Sequence, residues 1–400
     1  MVALTIDNMA IEVPEGTTIL EAARSVGIRI PSLCTLPEIH HSPGACRVCV
    51  VEVDRARTLV ASCVYPVAKG MKIKTNTRRV REARQRVVEF LLSDHPDGCN
   101  ICQKHGSCEL RQVAEQVGVR SIEIPRSDFS DNIPDDSSGA LVRDESKCIH
   151  CLRCVTVCAE IQGVHLLTPE GRGFNSRVVP AMGRNLSESA CTFCGQCTVV
   201  CPTGAIVEKD HTREVWAALE DPSRHVVVQE APAIRAQLGE EFGLPPGTLV
   251  TGRMITALRR LGFDRVFDTN FAADLTIIEE GNELLHRVRT GGKLPMITSC
   301  SPGWIKFIEH FYPDLLPHLS TCKSPQQMFG ALAKTYYAWK EGIDPAKIFV
   351  VSIMPCTAKK FEAARPEMNS SGYRDVDAVL TTRELGRMLR EAGIDLASLP

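Results

Sequence analysis

Where the cysteines fall constrains this chain more than any other feature. Of 18 cysteines in 400 residues, fifteen lie in residues 1–201 and three in 202–400. They come in sets, separated within each set by gaps as short as two and three residues. A disulfide scaffold would be short and secreted, and this chain is neither. Clustered thiols in a reducing compartment point to metal.

Four sets are distinct. Cys34, Cys46, Cys49 and Cys63 are spaced C-x11-C-x2-C-x13-C, four thiolates from a loop and a hairpin, which suits a [2Fe–2S] cluster. The spacing departs from the plant ferredoxin pattern. Zinc is the competing reading, although zinc more often shows two CxxC knuckles. His95, Cys99, Cys102 and Cys108 are spaced H-x3-C-x2-C-x5-C. Taken alone, this set suits structural zinc as well as a [4Fe–4S] cluster.

The other two sets carry the strongest signal. Cys148, Cys151, Cys154 and Cys158 repeat as Cys191, Cys194, Cys197 and Cys201, the last followed by Pro202. This is the bacterial two-cluster ferredoxin spacing, in which the fourth cysteine of each run ligates the other cluster. Cys148, Cys151, Cys154 and Cys201 should hold one [4Fe–4S] cube. Cys191, Cys194, Cys197 and Cys158 should hold the second. Four cluster sites in one half make an electron wire, and a wire needs redox chemistry at its end.

Composition narrows the setting. Lys and Arg number 46 against 48 Asp and Glu, so a nucleic-acid or polybasic membrane surface has no support. No apolar run approaches the roughly 18–20 residues of a membrane span. Asp7 and Glu12 stand where a signal peptide would be basic and then apolar. A cytoplasmic protein is expected. At ~150 residues per domain the length predicts three or four modules.

Residues 1–80 read as a small α+β domain: two short strands, a helix from Ile19 to Val26, a cysteine loop, a hairpin and a last strand at MKIKTN. A basic amphipathic helix from Thr77 to Ser93 leads into the Cys/His segment, 81–125. The polar stretch 125–139 reads as a linker and 140–212 as the cysteine repeat. From 216 to 400 the texture becomes α/β, with strands at HVVVQEAPA, DRVFDTN, KLPMITS, KIFVVSIMP and VDAVLTT. Helices are expected at 252–261, 278–289, 324–341 and 382–392.

The order of the four sets resembles the complex I large iron–sulfur subunit and the [FeFe]-hydrogenases. The second half separates them. Thr298-Ser299-Cys300-Ser301-Pro302-Gly303-Trp304 resembles the first hydrogenase motif, and Met354-Pro355-Cys356-Thr357-Ala358-Lys359-Lys360 the second. Lys323-Ser324-Pro325-Gln326 and Ala231-Pro232 are similar to segments that line that family's active site. The resemblance spans the chain. It implies a multidomain α+β and α/β architecture: a β-grasp [2Fe–2S] domain, a one-histidine, three-cysteine [4Fe–4S] segment, a two-[4Fe–4S] ferredoxin-like domain and an incomplete α/β H-cluster domain.

The implied cofactor is a six-iron H-cluster, a [4Fe–4S] cube joined to a di-iron unit bearing CO and cyanide. The implied reaction is the interconversion of H₂ with protons and electrons. Carried over by resemblance, Cys356 is a cube ligand, Lys359 bonds a cyanide, and Met354 and Gln326 pack around the di-iron unit. Glu280, Glu283, Ser320 and Arg287 match the proton path, with Cys300 as its innermost relay. On spacing alone, Glu280, Glu283 and Arg287 read as a solvated helix face. Cys322 matches no ligand position and reads as a small buried residue.

Two departures stand out. Ser301 occupies a ligand position that is cysteine in the family, and no C-x3-C pair follows Cys356. The chain is therefore expected to be the first part of a longer polypeptide, or to be completed by another chain, and to be inactive alone. The expected partners are ferredoxin, or NAD(P)H through flavin diaphorase-type subunits, together with H-cluster maturation proteins. The competing function is an electron-relay subunit of an NAD(P)-linked complex without hydrogenase activity. A zinc scaffold is a third reading. No GxGxxG fingerprint follows a strand, so any nucleotide should sit on a partner.

Overall fold

The computed structural model describes residues 1–128 and 132–400, and it divides into two compact units. The first comprises residues 1–136, 142–189 and 196–207. Strands β1 (Val2–Ile6) and β2 (Met9–Val13) form a hairpin. Its turn places Asp7 and Asn8 at positive φ, 45° and 72°, which these two side chains tolerate better than most. Helix α1 (Ile19–Ser25) begins at Thr18, where a capping box with Glu21 satisfies the free amides, and buries Ile19, Leu20, Ala22 and Ala23. Strands β3 (Val50–Val53), β4 (Val60–Ala61) and β5 (Lys72–Lys74) complete a sheet of order β2-β1-β5-β3-β4. The strands and helix expected in this region are those observed.

Helix α2 (Arg78–Ser93), expected from Thr77 to Ser93, starts on a Thr77 cap and packs against α3 (Glu109–Val117). Farther on, β6 (Leu167–Glu170) and β7 (Arg177–Pro180) form an antiparallel hairpin. The stretch expected to be a linker, 125–139, is not featureless. Asp135 bridges Arg143 through backbone bonds, and the Ser138 hydroxyl, itself buried, accepts from the amides of Ala140 and Leu141. Residues 129–131 of that stretch lie outside the described residues.

The second unit comprises residues 137–141, 190–195 and 208–400. Its frame is a parallel sheet of β8 (His225–Glu230), β9 (Arg265–Asp268), β10 (Ile348–Ile353) and β11 (Ala378–Leu380), in the order β9-β8-β10-β11. The near-continuous apolar runs in β8 and β10 are what a sheet covered on both faces requires. Helices α4 (Thr212–Glu220), α5 (Thr251–Leu261), α6 (Thr269–Thr290), α7 (Pro302–Phe311), α8 (Pro325–Leu332), α9 (Ala358–Ala364) and α10 (Thr382–Glu391) complete it.

Two expectations are corrected. KLPMITS is not a strand: only Ile297 bridges Leu319, and most of the segment is exposed, so apolar content there does not reflect burial in the sheet. The helix expected at 278–289 runs from Thr269, because Asp268 caps it through the Asn270 amide. Among the described residues, no helix is long and apolar enough to cross a membrane.

Lys360 and Glu384 form an ion pair at 2.9 Å with both side chains fully buried. Glu384 also accepts from the His211 amide, and the Val379 amide donates to His211 Nδ1 at 3.4 Å. Burial first, and the nearby Lys360 ammonium second, push the His211 pKa down to about 3. An unfolded histidine titrates near 6.5. Between those values only the unfolded chain takes up the proton, so stability should fall as pH drops from roughly 6.5 towards 3. His211→Asn should flatten that dependence in urea titrations at stepped pH. An unchanged slope would show that another group carries it.

Candidate functional site

The first cysteine set lies in the first unit. Cys34, Cys46, Cys49 and Cys63 are all buried; Cys49 directly precedes β3, and Cys63 follows β4. Amides of Ala45 and Cys46 bond the Cys34 sulfur, and those of Val48 and Leu33 bond Cys46. The sulfurs also bond one another. Contact with Cys46 holds the Cys34 thiol down and that with Cys63 brings Cys49 down to about 6, while the same contacts push Cys46 and Cys63 up. Four sulfurs sharing protons this way cannot all ionise until a cation replaces those protons. Iron bound by four thiolates meets that requirement.

The cube set Cys148, Cys151, Cys154 and Cys201 lines one cavity together with Ile149, Val178 and Ile206. Burial pushes Cys148 up to about 11 and Cys151 up to about 12, and Cys154 well above its usual value. Buried thiols in an apolar pocket ionise only with a metal present, and the cavity gathers all four. His95 is buried, with Nδ1 lacking any hydrogen-bond partner, and burial brings its pKa down to about 4. An imidazole held neutral with an unspent nitrogen fits a ligand. Near Cys102 the chain turns at Gly204, where a Cβ would come within 2.7 Å of the Cys102 sulfur, so only glycine leaves the thiol room.

Cys191 and Cys194 belong to the second unit, within its 190–195 segment. Between them Phe193 is buried against Phe361, ring centroids 4.9 Å apart, with the Lys306 ammonium over both rings. The Thr357 hydroxyl donates to the Phe193 carbonyl at 2.6 Å. Gly195, at φ 77°, lies where a side chain would collide with that same hydroxyl. The Cys191–Cys194 knuckle is thus bonded to the residue that follows Cys356. Spacing gave no sign of this, because Phe193, Lys306 and Thr357 are far apart in sequence.

The motif residues gather beyond the carboxyl ends of the parallel strands, the usual position for sites in such sheets. Met354 is buried just past β10, and Cys356 is half-buried two residues on. Ala231 is buried after β8, and Pro232 is exposed. Ser324 caps α8 through the Gln327 amide, Pro325 is its first residue, and Gln326 donates to the Lys359 carbonyl and to Glu362. The Lys359 ammonium donates to the Cys300 carbonyl at 2.8 Å and to Glu362 at 3.0 Å. Cys300 and Ser301 are exposed on the loop before α7, and the Ser301 side chain does not cap that helix. Glu362 was missed in the sequence, although it stands three residues from Lys359 at helical spacing.

Glu283 organises a second group. Its Oε2 accepts from the Ser320 hydroxyl at 2.8 Å, its Oε1 from Arg287 at 2.6 Å, and both from the Thr321 amide. Burial alone would raise this carboxyl, but Ser320 and Arg287 outweigh it and hold the pKa below the usual range. Glu280, one turn earlier on α6, has a buried Oε1 without a partner. Cys322 is half-buried rather than simply core: its sulfur lies 3.9 Å from Glu283 Oε2, and its carbonyl accepts from Ser299 at 2.6 Å. The 320–322 turn therefore links the Glu283 carboxylate of α6 to the Cys300 loop.

Comparison with known proteins agrees along the whole length. Residues 224–400 match the iron only hydrogenase large subunit, C-terminal domain. Residues 1–78 match a 2Fe-2S iron-sulfur cluster binding domain, 84–123 the NADH-ubiquinone oxidoreductase-G iron-sulfur binding region, and 147–205 a 4Fe-4S dicluster domain. The NADP-reducing hydrogenase subunit HndD of Solidesulfovibrio fructosivorans is 52% identical over 410 residues, 100% of this chain and 70% of its own. Iron hydrogenase 1 of Clostridium pasteurianum is 40% identical over 399 residues, 100% of this chain and 69% of its own. The NADH-ubiquinone oxidoreductase 75 kDa subunit of Reclinomonas americana is 36% identical over 219 residues, 54% of this chain and 31% of its own. With matches to cluster-binding domains and to the hydrogenase domain, and similarity along its own whole length to two longer hydrogenases, this chain belongs to the [FeFe]-hydrogenase large-subunit family.

Proposed function

We propose that the chain carries electrons through one [2Fe–2S] and three [4Fe–4S] clusters to a hydrogenase site, exchanging them with NAD(P)H-linked partner subunits or ferredoxin. The segments 1–80, 81–125, 140–212 and 216–400 are its four functional parts, working in the cytoplasm. Cys34, Cys46, Cys49 and Cys63 hold the [2Fe–2S] cluster. His95, Cys99, Cys102 and Cys108 hold one cube, the unspent His95 nitrogen supporting this. Cys148, Cys151, Cys154 and Cys201 hold the next, and Cys191, Cys194, Cys197 and Cys158 the last. The NADP-reducing role in the name of one relative supports the choice of donor.

When bound, the H-cluster supplies the interconversion of H₂ with protons and electrons. The chain's residues position it and move protons. Cys356 would ligate the cube, and Ala231, Pro232, Ser324, Pro325, Gln326 and Met354 would enclose the di-iron unit. Lys359, its ammonium already beside the Cys300 loop, would meet an anionic cyanide. Protons would pass from Arg287 and Glu283 through Ser320 and Glu280 to Cys300. Assembly of that network carries the reading: an electron relay alone has no use for a carboxylate, hydroxyl and guanidinium held together at 2.6–2.8 Å beside a thiol loop.

Anaerobically purified protein should be brown and hold about fourteen irons in its accessory clusters, from the cluster types that the ligand sets imply. Stoichiometric zinc, with iron near ten, would refute the His95 assignment.

A further inference from the structure

We propose that the Lys306 ammonium raises the reduction potential of the cluster that Cys191 and Cys194 help to hold. This rests on the relay reading above. Lys306 lies on α7, the helix that begins just after Cys300 and Ser301. The start of that helix packs on the cysteine knuckle: a Cβ added at Gly303 would lie 3.6 Å from the Thr192 carbonyl. Lys306 stands three residues on from Gly303, on the same side of the helix.

The ammonium is held rather than free. It sits 5.6 Å from the centre of the Phe193 ring and 5.1 Å from that of Phe361. A cation over two rings is attracted to both, which keeps it beside the knuckle. Phe193 is itself fixed. Its side chain is buried, its φ is 53°, and its carbonyl accepts from the Thr357 hydroxyl at 2.6 Å. In that conformation the Phe193 amide donates to the Cys191 sulfur at 3.4 Å. Hydrogen bonds to the sulfurs and nearby charge are what set the potential of such a cluster.

The charge of Lys306 is not cancelled. Glu309, Arg365 and the Cys191 sulfur act on it, and it acts on His310. Among the described residues, none of these acids comes within ion-pair distance. Glu309 is instead paired with Arg365 at 2.7 Å, and Arg365 also meets Glu367, whose side chain is half in water. The cations beside the Cys148 set differ. Arg143 acts on Cys148 and Arg153 on Cys151, yet each is paired with a carboxylate at 2.5–2.7 Å, from Glu145 and Glu109.

Reduction adds one electron, and so one negative charge, to a cluster that thiolate ligands already make anionic. The electron comes from the donor that the relay serves, and no bond breaks. A fixed, unpaired cation nearby favours the reduced form, so this cluster takes up its electron more readily. Its place in the chain makes that useful. The Phe193 carbonyl is bonded to Thr357, the residue after Cys356, so the electron is held beside the segment that would ligate the H-cluster cube.

The test is a potentiometric titration of the purified chain with its accessory clusters, followed by electron paramagnetic resonance. Lys306→Met should lower the ratio of reduced to oxidised cluster about tenfold at a fixed potential, for one [4Fe–4S] signal only. For a one-electron couple that is a midpoint shift of about 59 mV. Lys306→Glu should lower the same midpoint further. Lys306→Arg should leave it unchanged, since it restores both the charge and the ring contact. Iron content should match the parent chain in all three. A shift ordered by charge is one that a merely structural role would not produce. Equal shifts in Lys306→Arg and Lys306→Met, or an unmoved midpoint in iron-replete Lys306→Met, would overturn the proposal and leave the relay intact. So would equal shifts in every cluster, which net charge alone explains, or loss of the cluster in both Lys306→Met and Lys306→Glu, which would make Lys306 structural. A parent chain without iron overturns the relay reading and this proposal with it.

Discussion

Replacing Cys300 by alanine should lower H₂ turnover by about 10²- to 10⁴-fold while leaving the CO and cyanide infrared bands of the H-cluster unchanged. The experiment requires a form of the enzyme carrying the complete cofactor, with Ser301 in place. Two chemical preferences compete at these neighbouring residues. A thiol titrating near 8.5 exchanges protons cheaply, whereas a serine hydroxyl does not, which favours Cys300 as relay. An alkoxide is a harder ligand than a thiolate and suits a soft iron site less well, which favours Cys300 as ligand. The surroundings weigh towards the relay. Ser299 is tied to the Cys322 carbonyl, and Cys322 and Ser320 both reach Glu283, so the Cys300 loop is attached to the hydrogen-bond group around Glu283. Ser301→Cys should leave turnover equal or higher. Loss of the infrared bands in Cys300→Ala would make Cys300 the ligand and reverse the assignment.

Lys360→Met should cost about 3–5 kcal/mol, because it leaves the Glu384 carboxylate buried without its counter-charge. For a unit of this size that is a fall of roughly ten degrees in melting temperature. Glu384 is enclosed on every side. It caps α10 by accepting from the Thr381 amide, takes the His211 amide, and pairs with a lysine that also donates to the Val379 carbonyl. Burial pulls the Lys360 pKa down and Glu384 opposes that, so removing either charge exposes the cost of burying the other. Lys360→Met with Glu384→Gln should be less destabilised than Lys360→Met alone, since the orphaned charge is gone. Urea unfolding followed by circular dichroism reads both variants. A single-variant loss below about 1 kcal/mol would mean that water reaches the pair.

The two lysines of the Met354–Lys360 motif show how far sequence reading reached. Both were visible as a motif, yet nothing local distinguishes them. On α9, Lys359 faces the Cys300 loop and Glu362, while Lys360, about 100° around the helix, enters the core. Glu280, Glu283 and Arg287 likewise read as a solvated face by spacing, and only the 320–322 turn, more than thirty residues on, makes Glu283 a half-buried hub.

What the sequence by itself determined is the cluster chemistry and the alternating framework. Ligand spacing on tight loops is a local property, and so are capping boxes, turn residues and the apolar runs of buried strands. Those signals placed the cysteine sets, the opening α+β domain, and the strands β8, β9, β10 and β11. Only the tertiary structure decided which charges are paired, which nitrogen at His95 is unspent, and how Phe193 and Thr357 join the Cys191–Cys194 knuckle to the segment of Cys356. It also turned KLPMITS from an expected strand into an exposed loop. These depend on contacts between residues distant in sequence, where burial and electrostatics are set by neighbours that no local pattern names.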